Sequence, residues 1–173
     1  EKQYERIAEI CSEVVNNVPG NCFVFFPSYF IRDSVNKYFS EMCEKTAFVE
    51  VANMQKFEKD EMLDKFKQYK ESGAVLLGAA SGNFGEGIDL PGDLLKCVIV
   101  VGLPLGSPDL ETKELIRYYD GKFGAGWDYG YLAPAMHKTI QAAGRCIRTE
   151  TDKGAIVFID KRFVWANYAK YFP

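Results

Sequence analysis

Strand-length runs of uniformly apolar residues, each set apart from the next by a helical pattern or a glycine-rich loop, leave this chain few ways to fold. Residues 22–26 (Cys-Phe-Val-Phe-Phe), 74–79 (Ala-Val-Leu-Leu-Gly-Ala) and 97–103 (Cys-Val-Ile-Val-Val-Gly-Leu) do not alternate polar with apolar. A strand wetted on one face alternates with period two, whereas a strand covered on both faces has no need to. Residues 47–51 and 155–160 supply two further strands. Between them lie helices. Residues 1–17 place Ile7, Ile10, Cys11, Val14 and Val15 on one stripe that stops at Asn16, Asn17, Pro19 and Gly20. Residues 30–39, 110–119 and 134–148 also read as helices, and 55–70 as a charged surface helix with apolar points at Phe57, Met62, Phe66 and Tyr69. Strands alternating with helices predict an α/β fold, a mostly parallel sheet flanked by helices on both faces with right-handed crossovers. A length of 173 residues suits one such domain over 1–173, and no internal repeat or linker divides it.

Open parallel sheets hold ligands beyond the carboxyl ends of their strands. The loops that matter are therefore 27–29, 80–92, 104–109 and 161–163. A net charge of −3 argues against a general nucleic-acid binder, but the charge is uneven. Residues 137–173 carry seven Lys or Arg against three acids, while the first 136 carry 14 basic and 21 acidic residues. The late excess reads either as ordinary solvated surface or as a basic face for phosphates. Five cysteines at 11, 22, 43, 97 and 146, with no C-x-x-C pair and a single histidine, supply neither a zinc nor an iron–sulphur set by local spacing. They read as reduced thiols, with Cys22 and Cys97 acting as small buried hydrophobes. No apolar stretch approaches the ~18 residues of a membrane span, and residues 1–15 are too charged for a signal peptide. The expectation is an aqueous, intracellular setting.

Three segments carry chemistry. In Gln141-Ala-Ala-Gly-Arg145-Cys-Ile-Arg148, helical geometry would set Gln141, Arg145 and Arg148 on one narrow stripe, with Met136, Ile140, Ala143 and Ile147 facing the sheet. An amide and two guanidinium forks projected together suit phosphate oxygens, and a solvated helix face would look the same. Gly144 within that helix is tolerable if something must approach closely there. In Gly82-Asn-Phe84-Gly85-Glu86-Gly87-Ile88-Asp89-Leu-Pro91-Gly92, glycines let backbone N–H groups approach a ligand, and Glu86 and Asp89 could accept from ribose hydroxyls or pair with the arginines. No G-x-x-x-x-G-K-[ST] loop occurs, so the chain has no phosphate cradle of its own. In Phe25-Phe26-Pro27-Ser28-Tyr29, a hydroxyl and an aromatic at a strand end could hold a phosphate and stack on a base. Tyr118, Tyr119, Phe123, Trp127, Tyr129 and Tyr131 gather among glycines, either along a single-strand path or, the commoner arrangement, in a satellite core.

In this order these segments resemble motifs IV, V and VI of superfamily 2 helicases. More narrowly, Phe23-Val-Phe-Phe-Pro-Ser28-Tyr29, Phe84-Gly-Glu86-Gly-Ile-Asp89, the Gln141 to Arg148 segment and Asp160-Lys161-Arg162-Phe163 are similar to the second motor lobe of the xeroderma pigmentosum group D (XPD) helicases and their DinG-type relatives. The resemblance implies a RecA-like carboxyl-terminal lobe, with motif IV near 23–29, motif V near 82–92 and motif VI at 141–148, from an ATP-driven 5′-to-3′ DNA helicase that in eukaryotes serves nucleotide excision repair. It implies that Gln141, Arg145 and Arg148 complete an ATP site against a first RecA-like lobe, the arginines acting as fingers on the transferring phosphoryl group. It implies that Glu86, Gly87 and Asp89 lie at the nucleotide and couple its state to DNA, and that Ser28, Tyr29 and Arg162 touch the single strand. ATP and Mg²⁺ would be gripped mainly by the first lobe, and an iron–sulphur cluster would belong to the parent protein outside this chain.

The Walker lysine motif, the D-E-x-H segment, the cluster cysteines and the arch insertion of that family are not in this sequence. The resemblance therefore reads the chain as an excised lobe, archaeal or bacterial in style, catalytically silent alone, with the first lobe and single-stranded DNA as partners, and no membrane. It would be cytoplasmic, or nuclear if eukaryotic, where repair-complex subunits are further partners. Two other readings stay open: a stand-alone single-strand-binding or scaffold module, resting on the late positive charge and the aromatic cluster, and the lobe of an RNA helicase.

Overall fold

A computed structural model of the chain describes residues 2–85, 94–147 and 150–173. Strands β1 (Cys22–Phe26), β2 (Thr46–Val49), β3 (Ala74–Ala79), β4 (Cys97–Val101) and β5 (Ala155–Ile159) form one sheet in the order β2-β3-β1-β4-β5. Every pairing between them is parallel. The helices are α1 (Lys2–Asn17), α2 (Tyr29–Met42), α3 (Lys56–Lys67), α4 (Leu110–Phe123), α5 (Ala133–Ala143) and the short α6 (Ala166–Ala169).

All residues of β1, β3 and β4 are buried, as their unbroken apolar runs require. Successive side chains serve two different cores. Phe23, Phe25, Leu76, Val98 and Val100 pack with Leu63 and Phe66 of α3 and Ala142 and Ala143 of α5. Cys22, Val24, Phe26, Val75, Leu77, Cys97, Ile99 and Val101 pack with Ala8, Cys11 and Val15 of α1 and Val35 and Phe39 of α2. Helices thus cover both faces, and each large side chain so buried is worth about 1.5–3 kcal/mol. The edge strands β2 and β5 are only partly buried. Asn21, wholly buried, ties layer to layer: its side chain donates to the Phe66 carbonyl (3.0 Å) and accepts from the Ala74 N–H (2.9 Å).

β1 and β3 have the limits read from the sequence. β4 stops two residues early, at Val101, because Gly102 adopts φ +65° and turns the chain. α2 and α4 run longer than expected: Ser28 and Asp109 cap their starts, and Gly124 at φ +64° closes α4. The expected helix over 134–148 requires correction. α5 ends at Ala143, Gly144–Cys146 make a 3₁₀ turn, and Ile147 is extended at φ −131°, ψ 103°. Gly144 has open space where a Cβ would stand, so it ends a helix and admits no close neighbour. Ile147, expected against the sheet, is exposed.

The chain moves from β1 toward β2 and β3 and then returns to β4 on the other side, so the sheet's switch point lies between β1 and β4. Pro27 and Gly102 follow those two strands and open the region where the loops converge.

Candidate nucleotide and nucleic-acid site

At the end of β1, Ser28 caps α2, its Oγ accepting from the Ile31 N–H at 3.3 Å. The Tyr29 hydroxyl donates to Glu50 Oε1 at 2.9 Å. Burial first, and then that hydrogen bond, push the phenol up to about 12, so it stays a donor at neutral pH. The Arg32 guanidinium stacks 4.8 Å from the Tyr29 ring centroid and donates to the Glu50 backbone carbonyl. Of the two residues expected to touch a strand here, Ser28 lines an open cavity of ≈ 480 Å³ and Tyr29 does not.

Arg162 shares that cavity with Ser28, together with Pro27, Ser81 and Pro104. It also lines a neighbouring cavity of ≈ 640 Å³, beside Gln3, Tyr4 and Lys161. Asp160 holds the guanidinium, with Nε 3.0 Å from Oδ1 and Nη2 2.6 Å from Oδ2. Burial opposes ionisation of Asp160, but the hydrogen bonds and charge of Arg162 outweigh it and hold the carboxyl below its usual range. The same bonds raise Arg162 above its ordinary value.

Beyond β3 the chain turns tightly. Gly82 N–H donates to Ala79 O, Gly85 N–H to Gly82 O, and Phe84 drops into the core edge-on to Phe23. A smaller cavity of ≈ 270 Å³ beside this turn is lined by Ala80, Ser81, Gly82 and Lys138, one of the late basic residues. Glu86, Gly87, Asp89 and Arg148 lie outside the described residues.

The expected single stripe of Gln141 and Arg145 does not form. Gln141 is exposed near the end of α5, whereas Arg145, displaced by the 3₁₀ turn, is 8 % exposed and donates through Nη2 to the Gly85 carbonyl. The same shift joins two glycine-bearing segments sixty residues apart, with the turn after α5 resting on the turn after β3.

Glu50, just past β2, escaped the sequence reading. Its carboxylate is wholly buried and accepts from Tyr29 Oη, from Ala79 N–H (2.8 Å) and from Asn83 N–H. A Cβ on Gly78 would stand 2.9 Å from Oε2, and one on Gly82 would overlap both Oε1 and the Tyr29 hydroxyl. Two glycines thus mark its seat, but nothing in local periodicity pairs them with residue 50.

The aromatic cluster also departs from expectation. It lies on the end of α4 and a π-helical turn at Asp128–Leu132, and its rings are not a satellite core. Tyr118, Phe123, Trp127 and Tyr129 are each more than half exposed, and they pack on the less exposed Tyr119 and Tyr131 or, for Phe123 and Tyr129, on each other. The satellite core is formed next to them, by Leu103, Leu132, Met136 and Phe163. Among the described residues no group of three His, Cys, Asp or Glu side chains could hold a metal ion, and no helix is long and apolar enough to cross a membrane.

An all-parallel RecA-like sheet, with a glycine turn after β3 held by an arginine from the 3₁₀ turn after α5, fits the carboxyl-terminal lobe of a superfamily 2 helicase. The family model for the helicase C-terminal domain matches residues 11–173, and the chain belongs to that family, in its XPD/DinG branch. It is 30% identical over 176 residues to the 3′-5′ exonuclease DinG of Staphylococcus saprophyticus, covering 98% of this chain and 19% of that protein. It is 31% identical over 168 residues to the ATP-dependent DNA helicase YoaA of Haemophilus influenzae, covering 96% of this chain and 25% of that protein. A solved XPD helicase structure superposes with a TM-score of 0.74 at 26% identity, covering 97% of this chain and 30% of the solved one. The chain therefore spans a quarter or less of the curated relatives it matches.

Proposed function

We propose that this chain is the second motor lobe of an ATP-driven 5′-to-3′ DNA helicase, working against a first RecA-like lobe that grips ATP and Mg²⁺. The observation that carries the reading is the Arg145–Gly85 contact, which joins motif VI to the motif V turn on one flank of the sheet. Gln141, exposed beside it, and Arg148 and the 86–89 segment, which follow directly in sequence, are the groups we assign to the nucleotide. Arg145 would leave or share its carbonyl partner to stabilise charge on the transferring phosphoryl group once the first lobe closes. Ser28 and Arg162 would take strand phosphates at the carboxyl ends of β1 and β5, with Tyr29 as a strut behind them. An iron–sulphur cluster and a role in excision repair belong to the same proposal and rest on resemblance alone.

The test is ATP hydrolysis by the full-length protein with Arg145→Ala. Turnover should fall by about 10²–10³, the loss expected for one transition-state donor, with single-strand binding largely kept. Unchanged turnover would overturn the assignment. The lobe alone should not hydrolyse ATP, since it holds no Walker loop.

The exposed rings of Tyr118, Phe123, Trp127 and Tyr129 favour a second reading, a single-strand-binding module. Salt-sensitive quenching of tryptophan fluorescence by an oligothymidylate, lost in Trp127→Phe and unaffected by the first lobe, would establish it. Competition between matched DNA and RNA oligonucleotides separates a DNA track from an RNA track.

A further inference from the structure

We propose that Glu50 is a positioning residue that makes the strand-facing start of α2 and the motif V turn move as one body. The proposal rests on the nucleic-acid face described above. Four residues from three pieces of chain converge on this one side chain and its carbonyl. Tyr29 and Arg32 come from the first turn of α2, Ala79 from the last residue of β3, and Asn83 from the turn itself. Asn83 is held a second time, its Nδ2 donating to Val51 O at 2.8 Å. Ser28, next to Tyr29, and Ser81, next to Gly82, both line the cavity that contains Arg162. Past Asn83 the turn continues to Gly85, whose carbonyl receives Arg145.

A contiguous route therefore runs from Ser28 and Tyr29 through the Glu50 carboxylate to Asn83, Gly85 and Arg145. Among the described residues the carboxylate joins α2 to the turn on that route, Oε1 accepting from Tyr29 Oη and from Asn83 N–H at once. A phosphate that shifts the start of α2 would pull the turn through this oxygen. An amide in its place offers a single acceptor oxygen and turns an N–H₂ toward the N–H of Ala79 or of Asn83, so Glu50→Gln loosens the seat of the joint on the β3 turn while preserving the volume.

The experiment measures ATP hydrolysis by the full-length protein against oligothymidylate concentration, for wild type, Glu50→Gln, Tyr29→Phe and the double variant. Glu50→Gln should keep hydrolysis without DNA while the concentration giving half-maximal stimulation rises about tenfold, the weight of a hydrogen bond to a charged group. The double variant should be no worse than Glu50→Gln, because both changes uncouple the same link between α2 and the turn. Amide exchange of Ala79 and Asn83 should quicken in Glu50→Gln, with Val98 to Val100 in β4 unchanged. A wild-type stimulation curve in Glu50→Gln would overturn the proposal, as would joint loss of unstimulated hydrolysis and of β4 protection, which marks a merely structural role. A wild type that does not respond to DNA would overturn the nucleic-acid reading itself, and this inference with it.

Discussion

The Arg162 guanidinium lies against the Asp160 carboxylate with two of its nitrogens engaged, at the mouth shared by two cavities beyond β1, β4 and β5. The pair fixes the direction of the fork before any ligand arrives, and Nη1 carries no bond to Asp160.

Asp160 makes stability depend on acid. Its folded carboxyl titrates below its unfolded value of about 4, so the unfolded chain binds the proton first as pH falls. The contribution is fully present above about pH 4 and is lost as pH drops through the lower, folded value. Urea unfolding of wild type and Asp160→Asn should show a gap at pH 7 that narrows below pH 4. A gap that is constant with pH would contradict the assignment.

Arg145→Ala should destabilise the lobe, whatever it does to turnover. It deprives the Gly85 carbonyl of a charged, buried donor, a loss of about 1–3 kcal/mol by chemical denaturation. Arg145→Lys, which keeps charge without the planar fork, should recover little of it.

Two glycines near the aromatic cluster should respond in opposite directions. A methyl group added at Gly121, in the last turns of α4, would meet nothing within 4 Å, so Gly121→Ala should stabilise by about 0.5–1 kcal/mol. One added at Gly126 would collide with the Ile116 carbonyl and stand 2.7 Å from Asp120 Cβ. Gly126→Ala should therefore cost about 1–3 kcal/mol as the π-helical turn shifts off α4. Thermal melts of the pair decide both.

Asn21→Ala should be among the costlier polar truncations. It strands a buried N–H at Ala74, about 1–3 kcal/mol for a group left unsatisfied, and removes one of the donors on the Phe66 carbonyl, which keeps the Tyr69 N–H. Asn21→Asp should not rescue it, because the replacement oxygen would face the Phe66 carbonyl.

What could be read from residues alone follows from how local the cause was. β1 and β3 were legible to the residue because burial on both faces writes an unbroken apolar run. The family signature was legible because its motifs are short and contiguous. The end of α5 was not: extending 100° per residue past Gly144 carried Arg145 onto a solvent stripe, whereas a carbonyl sixty positions earlier takes it inward. Glu50 resembled any charged residue after a short edge strand, since the donors that bury it come from α2, β3 and a turn. Tyr29 was read as facing a strand, and the group that claims its hydroxyl was out of sight.

The cysteines give the lobe an internal clock. Cys11, Cys22 and Cys97 have no solvent contact, the last two directly abreast on adjacent strands, and burial pushes the Cys11 thiol up to about 12. An alkylating reagent can reach these sulphurs only when the sheet opens, so their labelling rate follows global unfolding, while half-buried Cys43 at the end of α2 reports fraying there. Mass spectrometry of the native sequence can therefore rank every variant above without an added probe.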